Sequence, residues 1–110
     1  GIMVTAYANI REGMFGSTKV ATERIAEIYR EFYANQPFVT MVHNPPQTKE
    51  TWGNNHCLIY TTVDERTNRL IVISCIDNLM KGAAGQAVQN MNLMQGYPEV
   101  MGLDTLAVYP

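Results

Sequence analysis

Few side chains of this sequence could carry nucleophilic, acid–base or metal chemistry, and their spacing suits none of the three. The two cysteines are Cys57 and Cys75, and the two histidines are His43 and His56. None of them stands in the Cys-x-x-Cys or His-x-x-x-His spacing that is typical of zinc sites. His56 directly precedes Cys57, and neighbouring side chains of a strand point to opposite faces, so a thiolate–imidazole pair is not expected. We predict structural thiols, no metal site and no catalytic residue.

The carboxylates offer no acid–base pair either. Glu23, Glu27 and Glu31 follow one another at intervals of four residues within a helical pattern. Residues four apart share one helix face, and the apolar residues of this pattern lie on the other face. We therefore expect a solvated stripe of carboxylates.

The remaining chemical signal is a junction between a strand and a helix, from Ile76 to Gly85. An apolar segment leads into Asp77-Asn78 and then into residues rich in Gly and Ala. Helix N-termini attract phosphate, carboxylate or polar groups through free N–H donors and the helix dipole, and the Asn78 amide can both donate and accept. Because no Gly-x-Gly-x-x-Gly or Walker pattern is present, the residues alone leave two readings open, a ligand site or tight helix packing.

Several elements must position this junction. Residues 2–10 are rich in β-branched and aromatic types and predict a strand. An amphipathic helix is predicted to begin at Thr22, as N-cap, and to end before Pro37. A short apolar run over residues 38–42 follows, and two prolines and no periodicity predict an exposed loop over residues 43–50.

Residues 57–63 and 70–76 predict a β-hairpin. Leu70-Ile71-Val72-Ile73 is apolar at every position, which is typical of a central strand covered on both faces. The pairing places Cys57 opposite Cys75 or one position away, and a shift of one residue would turn the two thiols to opposite faces. A native disulfide is therefore not expected.

A second helix is predicted over residues 79–95. Gly96 suits a left-handed C-cap and Pro98 blocks continuation, although Gly82 and Gly85 each cost about 1 kcal/mol relative to Ala. The apolar positions of this helix follow a helical spacing: Met80, Ala84, Ala87, Val88, Met91 and Met94. The tail, residues 98–110, is predicted to be extended, with turns at Pro98 and Gly102.

Length and composition limit the function further. A chain of 110 residues is one domain or part of one. Charged residues make up 16 %, against about 25 % in typical soluble domains, so part of the surface is expected to meet protein or ligand. The net charge of −2 provides no basic stripe for nucleic acid or anionic membranes. The two cysteines favour a reducing, cytoplasmic compartment, and Gly1 in place of Met suggests a piece of a longer protein.

The stretch from Asp77 to Met94 resembles the late helix of the N-acetyl-gamma-glutamyl-phosphate reductases, the NADPH-dependent enzymes of arginine biosynthesis. It reads Asp-Asn-Leu-Met-Lys-Gly-Ala-Ala-Gly-Gln-Ala-Val-Gln-Asn-Met-Asn-Leu-Met. Further matching segments, in chain order, are Gly1-Ile2 with Thr5-Ala6-Tyr7-Ala8, Glu31-Phe32-Tyr33 with Pro37-Phe38-Val39, Gly53-Asn54-Asn55-His56-Cys57, Val63-Asp64-Glu65-Arg66-Thr67, Gly96-Tyr97-Pro98-Glu99 and Val108-Tyr109-Pro110.

The resemblance implies an α+β fold: a mostly antiparallel sheet with two helices, part of a glyceraldehyde-3-phosphate-dehydrogenase-like catalytic and dimerisation domain of the semialdehyde dehydrogenase superfamily. Residues 1–110 would be the C-terminal third of the enzyme. Helix 79–95 would pack against an NADP-binding Rossmann domain that is missing here. The family's nucleophilic Cys, in a Gly-Cys-Tyr-Pro context, and its catalytic His motif are also missing. Cys57 lies in another context and does not inherit the nucleophile's role, so this chain alone is expected to be inactive.

The resemblance also implies site residues and partners. Asn78, Lys81, Gly82 and Ala83 would lie nearest the nicotinamide of NADP, with Asn78 orienting its carboxamide. The partners would be the N-terminal part of the same enzyme and further copies of it in a dimer or tetramer. The alternative is a stand-alone, non-catalytic α/β module that dimerises or binds a small ligand.

Overall fold

The computed structural model describes residues 1–108, which form four strands and two α-helices. The elements in chain order are β1 (Ile2–Asn9), α1 (Thr18–Tyr33), β2 (Val39–Met41), β3 (Cys57–Asp64), β4 (Arg69–Ile76) and α2 (Gly85–Gln95). A 3₁₀ turn covers Thr48–Thr51, and a π-helical turn, Met80–Ala84, leads directly into α2. None of the helices in this part of the chain is long and apolar enough to cross a membrane.

The four strands form one mixed sheet in the order β1-β4-β3-β2. β4 pairs antiparallel with β1 and β3, whereas the short β2 runs parallel to β3. The predicted α+β fold with a mostly antiparallel sheet is confirmed, as are the hairpin and the central position of β4. The parallel strand was not predicted, because a short apolar run such as residues 38–42 carries no information on strand direction.

The hairpin register separates the two thiols. Cys57 lies opposite Ile76 and Cys75 lies opposite Leu58, so the cysteines occupy opposite faces and both are free. Cys75 is fully buried, and its Sγ lies 3.5 Å from the carbonyl oxygen of Pro46. The loop over residues 43–50 was predicted to be exposed throughout, and this is wrong for Pro46, which is buried where the loop covers Cys75.

Helix α1 begins earlier than predicted. Ser17 is its N-cap, with Oγ accepting from the Val20 N–H at 3.3 Å. Thr22, the predicted cap, lies inside the helix and donates its hydroxyl to the Thr18 carbonyl at 2.9 Å. The extra turn carries Ala21, which is only 2 % exposed, so burial against the sheet favours the earlier start.

The two faces of the sheet differ in their cover. Helix α1 packs on one face, where Ala21 and Ile25 form a core with Val63 and are joined by Leu70. The other face, which we call the open face, has no α-helix over it in the described part of the chain, and only the loop over residues 43–50 covers it, at Cys75. The side chains that the register directs to it are Met3, Thr5, Tyr7, Leu58, Tyr60, Thr62, Ile71 and Ile73. The prediction that β4 is covered on both faces therefore holds at Cys75 and is wrong for Ile71 and Ile73 within residues 1–108.

The segment after α2 folds back on the loop before β3. It turns at Pro98, whose carbonyl accepts from the Met101 N–H at 3.0 Å, and again at Gly102. The Val108 N–H then donates to the Trp52 carbonyl at 2.8 Å. Tyr109 and Pro110, the end of the predicted extended tail, lie outside the described residues.

Candidate functional site

The junction between β4 and α2 is organised by the carboxylate of Asp77. This side chain is 7 % exposed and accepts three backbone hydrogen bonds. Oδ1 receives the N–H of Leu79 at 2.7 Å and that of Met80 at 2.8 Å, and Oδ2 receives the N–H of Gly53 at 3.0 Å. The bond from Gly53 is the largest cause that holds the pKa of Asp77 below its usual value, so the carboxylate is charged at neutral pH.

The chain leaves this anchor in a widened helical turn. The Gly82 N–H donates to the Asp77 carbonyl at 2.9 Å and the Ala84 N–H donates to the Leu79 carbonyl at 3.0 Å, each bond reaching five residues back. The sequence predicted a helix here but not its π geometry. Single π turns within helices are frequently found at functional sites.

Three of the four predicted site residues share the outer surface of this turn. Asn78, Gly82 and Ala83 are all exposed. A Cβ on Gly82 would lie 3.3 Å from Asn78 Oδ1 and 3.4 Å from the Asp77 carbonyl oxygen. The missing side chain therefore leaves room for the Asn78 amide to lie against the turn, and the neighbouring backbone is open to a ligand.

Lys81, the fourth predicted residue, turns inward. Its Nζ donates to Gln89 Oε1 at 2.6 Å and lies 5.5 Å from the centre of the Phe38 ring. Burial lowers the pKa of Lys81, an effect that the nearby Cys57 and Glu99 oppose. The structure therefore brings Lys81 to the underside of the turn, away from Asn78.

Beneath the turn lies a buried polar network that the sequence reading missed. Gln89 Oε1 also accepts from Asn55 Nδ2 at 2.9 Å, and Gln89 Nε2 donates to Glu99 Oε1 at 2.7 Å. Asn55 is fully buried, and its Oδ1 has no hydrogen-bond partner among the described residues. This oxygen lies so close to Gly85 that any side chain at position 85 would overlap it. Through Gln89, the network holds α2 against the loop before β3 and against Glu99.

Two sequence signals could have pointed to these residues. Asp77 is an N-cap residue type placed between an apolar strand and a helix. Gly85, Gln89 and Asn92 follow the i, i+4, i+7 spacing of one helix face, and all three are buried. Polar residues with this spacing, next to an apolar face of the same helix, indicate that the polar face can be the one that packs against the domain.

The remaining chemical groups of the described residues do not assemble into a reaction centre. Burial raises the pKa of Cys57 and of Cys75, which keeps both in the thiol form. No three His, Cys, Asp or Glu side chains within residues 1–108 gather as metal ligands. A groove of about 420 Å³ between α1 and β1 is lined mostly by apolar residues, such as Ile25, Tyr29 and Leu70. What the junction can do chemically is bind and orient a polar ligand.

Comparisons with known proteins identify relatives of this chain. A family model described as "Semialdehyde dehydrogenase, dimerisation domain" matches residues 1–78. An N-acetyl-gamma-glutamyl-phosphate reductase of Dehalococcoides mccartyi strain BAV1 is 52 % identical over 110 residues, covering 100 % of this chain and 30 % of the relative. Proteins of the same name from Heliobacterium modesticaldum and Thermosynechococcus vestitus are 44 % and 49 % identical over 112 residues, again covering 100 % of this chain and 31 % of each relative.

The matches cover all of this chain but only part of each relative. The whole of this chain aligns, including the Asp77 junction and α2 beyond the end of the family model. The chain nevertheless spans only about 30 % of the length of the curated relatives that it matches.

Proposed function

Because this chain belongs to the semialdehyde dehydrogenase dimerisation-domain family, we propose that it supplies the subunit interface and part of the nicotinamide site of an NADPH-dependent N-acetyl-gamma-glutamyl-phosphate reductase. The observation that carries this proposal is the 52 % identity to a reductase of that name along all 110 residues, through the Asp77 junction and α2. The nucleophile and the acid–base groups of the reaction would lie in the part of the enzyme outside this chain. The chain's own share would be to orient the cofactor and to join subunits.

The residues of the junction suit a nicotinamide cofactor. Asn78 presents an exposed amide that can both donate to and accept from the carboxamide of the nicotinamide ring. Gly82 lacks the Cβ that would crowd that amide, and Ala83 adds only a methyl group, so the flat ring can approach the turn closely. When bound, NADPH supplies the hydride for the reduction. Lys81, held by Gln89, would stabilise the turn from beneath.

Helix α2 supports a second part of the proposal, packing against a nucleotide-binding domain. Its outward residues Met91, Leu93 and Met94 are 50 %, 55 % and 81 % exposed. Apolar residues grouped along a helix face favour contact with another surface. We assign that surface to the NADP-binding domain, since α2 continues from the turn that would hold the nicotinamide.

The open face of the sheet is the proposed contact between subunits. Tyr7 and Met3 are 65 % and 50 % exposed there, next to the half-buried Ile71 and Ile73. A second copy of the protein would cover this face, which would account for the low fraction of charged residues.

The first experiment uses the protein expressed from its complete open reading frame. NADPH oxidation is followed with N-acetyl-glutamyl phosphate as the substrate. Asn78→Ala should lower kcat/KM at least about tenfold without a comparable loss of melting temperature. Asn90→Ala, which truncates an exposed amide on α2, is the matched control. Wild-type protein without reductase activity would favour the non-catalytic module, and a large loss of melting temperature with normal kinetics would contradict the role of Asn78.

The second experiment tests the subunit contact. Tyr7→Glu places a charge on the open face, and the expected result is dissociation into smaller species in light scattering coupled to size-exclusion chromatography. Val4→Glu places the same charge on the opposite face of the same strand and should leave the oligomer intact. Equal effects of both variants would argue against the open face.

A further inference from the structure

We infer that Asp77 is a positioning residue, which holds Asn78 in its cofactor-binding orientation while touching no cofactor itself. This inference rests on the proposed function and adds a residue to which that function assigns no role. The inference starts from a difference in burial between two neighbouring residues. Asp77 is buried and Asn78 is exposed, although both directly follow β4.

The first step is the position of the hydrogen bonds. Asp77 Oδ1 accepts the backbone N–H groups of Leu79 and Met80, so the side chain spans the peptide units on the far side of Asn78. The Asp77 carbonyl also accepts the Gly82 N–H at 2.9 Å. Asn78 therefore lies in a short loop that hydrogen bonds to Asp77 hold closed. The Asp77 side chain holds the residues directly after Asn78, and the Asp77 carbonyl holds Gly82. Few backbone torsions near Asn78 remain free once these bonds form.

The second step is the connection to the rest of the domain. Asp77 Oδ2 accepts the Gly53 N–H at 3.0 Å, which ties the turn to the segment before β3. Gly53 has a φ of +74°, and its carbonyl accepts the Thr105 hydroxyl at 3.1 Å. Asp77 thus ties the turn directly to the segment before β3, and Gly53 in turn contacts Thr105 in the segment after α2.

The third step concerns charge. The groups that face the carboxylate are backbone N–H donors from Gly53, Leu79 and Met80, and in this chain the positive charge of the Gly1 amino group also lowers the pKa of Asp77. Hydrogen bonds to an ionised acceptor are about twice as strong as neutral ones. Replacement by the isosteric amide would keep one acceptor oxygen and would turn an NH₂ group towards a backbone N–H. Asp77→Asn therefore removes the hydrogen bonding at one oxygen of the side chain without leaving a cavity.

A double-mutant cycle in the complete enzyme tests the inference. Asp77→Asn, Asn78→Ala and the double variant are compared for the Kd of NADPH and for kcat. Asp77→Asn should weaken NADPH binding about tenfold, and in the presence of Asn78→Ala it should add less than about twofold. If Asp77 only stabilises the fold, its effect will be the same with either residue at position 78, and the inference fails.

Asp64→Asn is the matched control. Asp64 also accepts from a backbone N–H two residues ahead, that of Arg66 at 3.1 Å, and from the Thr67 hydroxyl at 2.7 Å. It lies at the far end of the hairpin, opposite Arg69 and thus about 26 Å away at about 3.3 Å per strand residue. Asp64→Asn should leave the Kd of NADPH unchanged, and an equal effect there would refute a specific role for Asp77.

Two further results keep the outcome clear. If Asp77→Asn does not fold, Asp77→Ser carries the cycle, because serine caps helix N-termini but is too short to hold Gly53 as well. An Asn78→Ala variant with normal NADPH binding would refute the proposed cofactor site, whereas a normal Asp77→Asn beside a defective Asn78→Ala would refute the positioning role alone.

Discussion

The inner sides of the two helices of this domain are built in opposite ways. Helix α1 buries the apolar side chains of Ala21 and Ile25 against the sheet, while its charged residues, and also Val20, Ile28 and Phe32, remain exposed. Helix α2 buries Gly85, Gln89 and Asn92 and exposes Met91, Leu93 and Met94. The inner contacts of α2 are hydrogen bonds, as in the two that Asn92 Nδ2 donates to the carbonyls of Glu99 and Met101.

The two helices also differ in the group that holds their N-terminal ends. The neutral hydroxyl of Ser17 caps α1, whereas the charged carboxylate of Asp77 anchors the turn before α2. Helix α2 is held on its inner side by polar contacts, and its outer apolar residues remain exposed in the described part of the chain. Under the proposed function, that outer side would meet the NADP-binding domain.

The largest effect is expected for a substitution on the inner side of α1. Ile25→Ala should lower the free energy of unfolding by about 3 kcal/mol, because it leaves a cavity in the core with Val63. Leu93→Ala, on the outer side of α2, is the counterpart. In chemical denaturation of the 110-residue chain it should cost less than about 0.5 kcal/mol, since Leu93 is 55 % exposed. Similar losses would mean that the helices do not differ as described.

The next effect concerns the close approach beneath α2. Gly85→Ala should destabilise the domain by about 2 kcal/mol, because its Cβ would overlap Asn55 Oδ1 and would lie 2.7 Å from the Met80 carbonyl oxygen. Gly16→Ala, just before the cap of α1, is the control, since a Cβ there meets no atom within 4 Å. A Gly85→Ala variant as stable as Gly16→Ala in thermal unfolding would show that the turn is not tightly packed.

A smaller effect is expected at the polar end of α2. Asn92→Ala removes the hydrogen bonds to the Glu99 and Met101 carbonyls, which are 3.1 Å and 2.9 Å long, and should cost about 1.5 kcal/mol. Asn90→Ala removes an exposed amide from the same helix and should cost less than about 0.5 kcal/mol. Urea unfolding of both variants measures the difference, and equal midpoints would contradict a structural role for Asn92.

The smallest effect depends on pH and separates the two caps. The pKa of Asp77 is lowered in the folded protein, so its stabilising contribution is full above the ordinary Asp value of about 3.9 and is lost as the pH falls through the folded value. The difference in melting temperature between wild type and Asp77→Asn should therefore shrink from pH 7 to pH 3. The corresponding difference for Ser17→Ala should stay constant across this interval, because a hydroxyl does not titrate there. A constant difference for Asp77→Asn would show that its charge does not stabilise the turn.

Much of the fold could be predicted from local patterns. The hairpin, the central β4, helix α2 and its Gly96 C-cap, which has a φ of 71°, all follow from strand propensity, helical spacing and glycine chemistry. The start of α1 could not be predicted in the same way, because Ser17 and Thr22 are both suitable caps. The burial of Ala21 decided between them.

In the candidate site, too, some features could be predicted from the sequence and others could not. The sequence drew attention to Asn78 and Gly82, and the structure brings them together on one exposed surface. Spacing along the chain could not show that Lys81 turns inward to Gln89, or that Asn55 lies under Gly85. Those contacts join residues up to 34 positions apart and depend on how the loop before β3 packs beneath α2.

By itself the sequence determined the hairpin, most of both helices and which residues at the junction are small or polar, since these properties depend on neighbours within a few positions. Only the tertiary structure decided that α2 turns its polar side inward, that the open face of the sheet stays uncovered within residues 1–108 except at Cys75, and that Asp77 ties the turn to the segment before β3. Hydrogen bonds and burial between distant segments set these features. Their strength depends on which groups the fold brings into contact, and local residue patterns do not encode that.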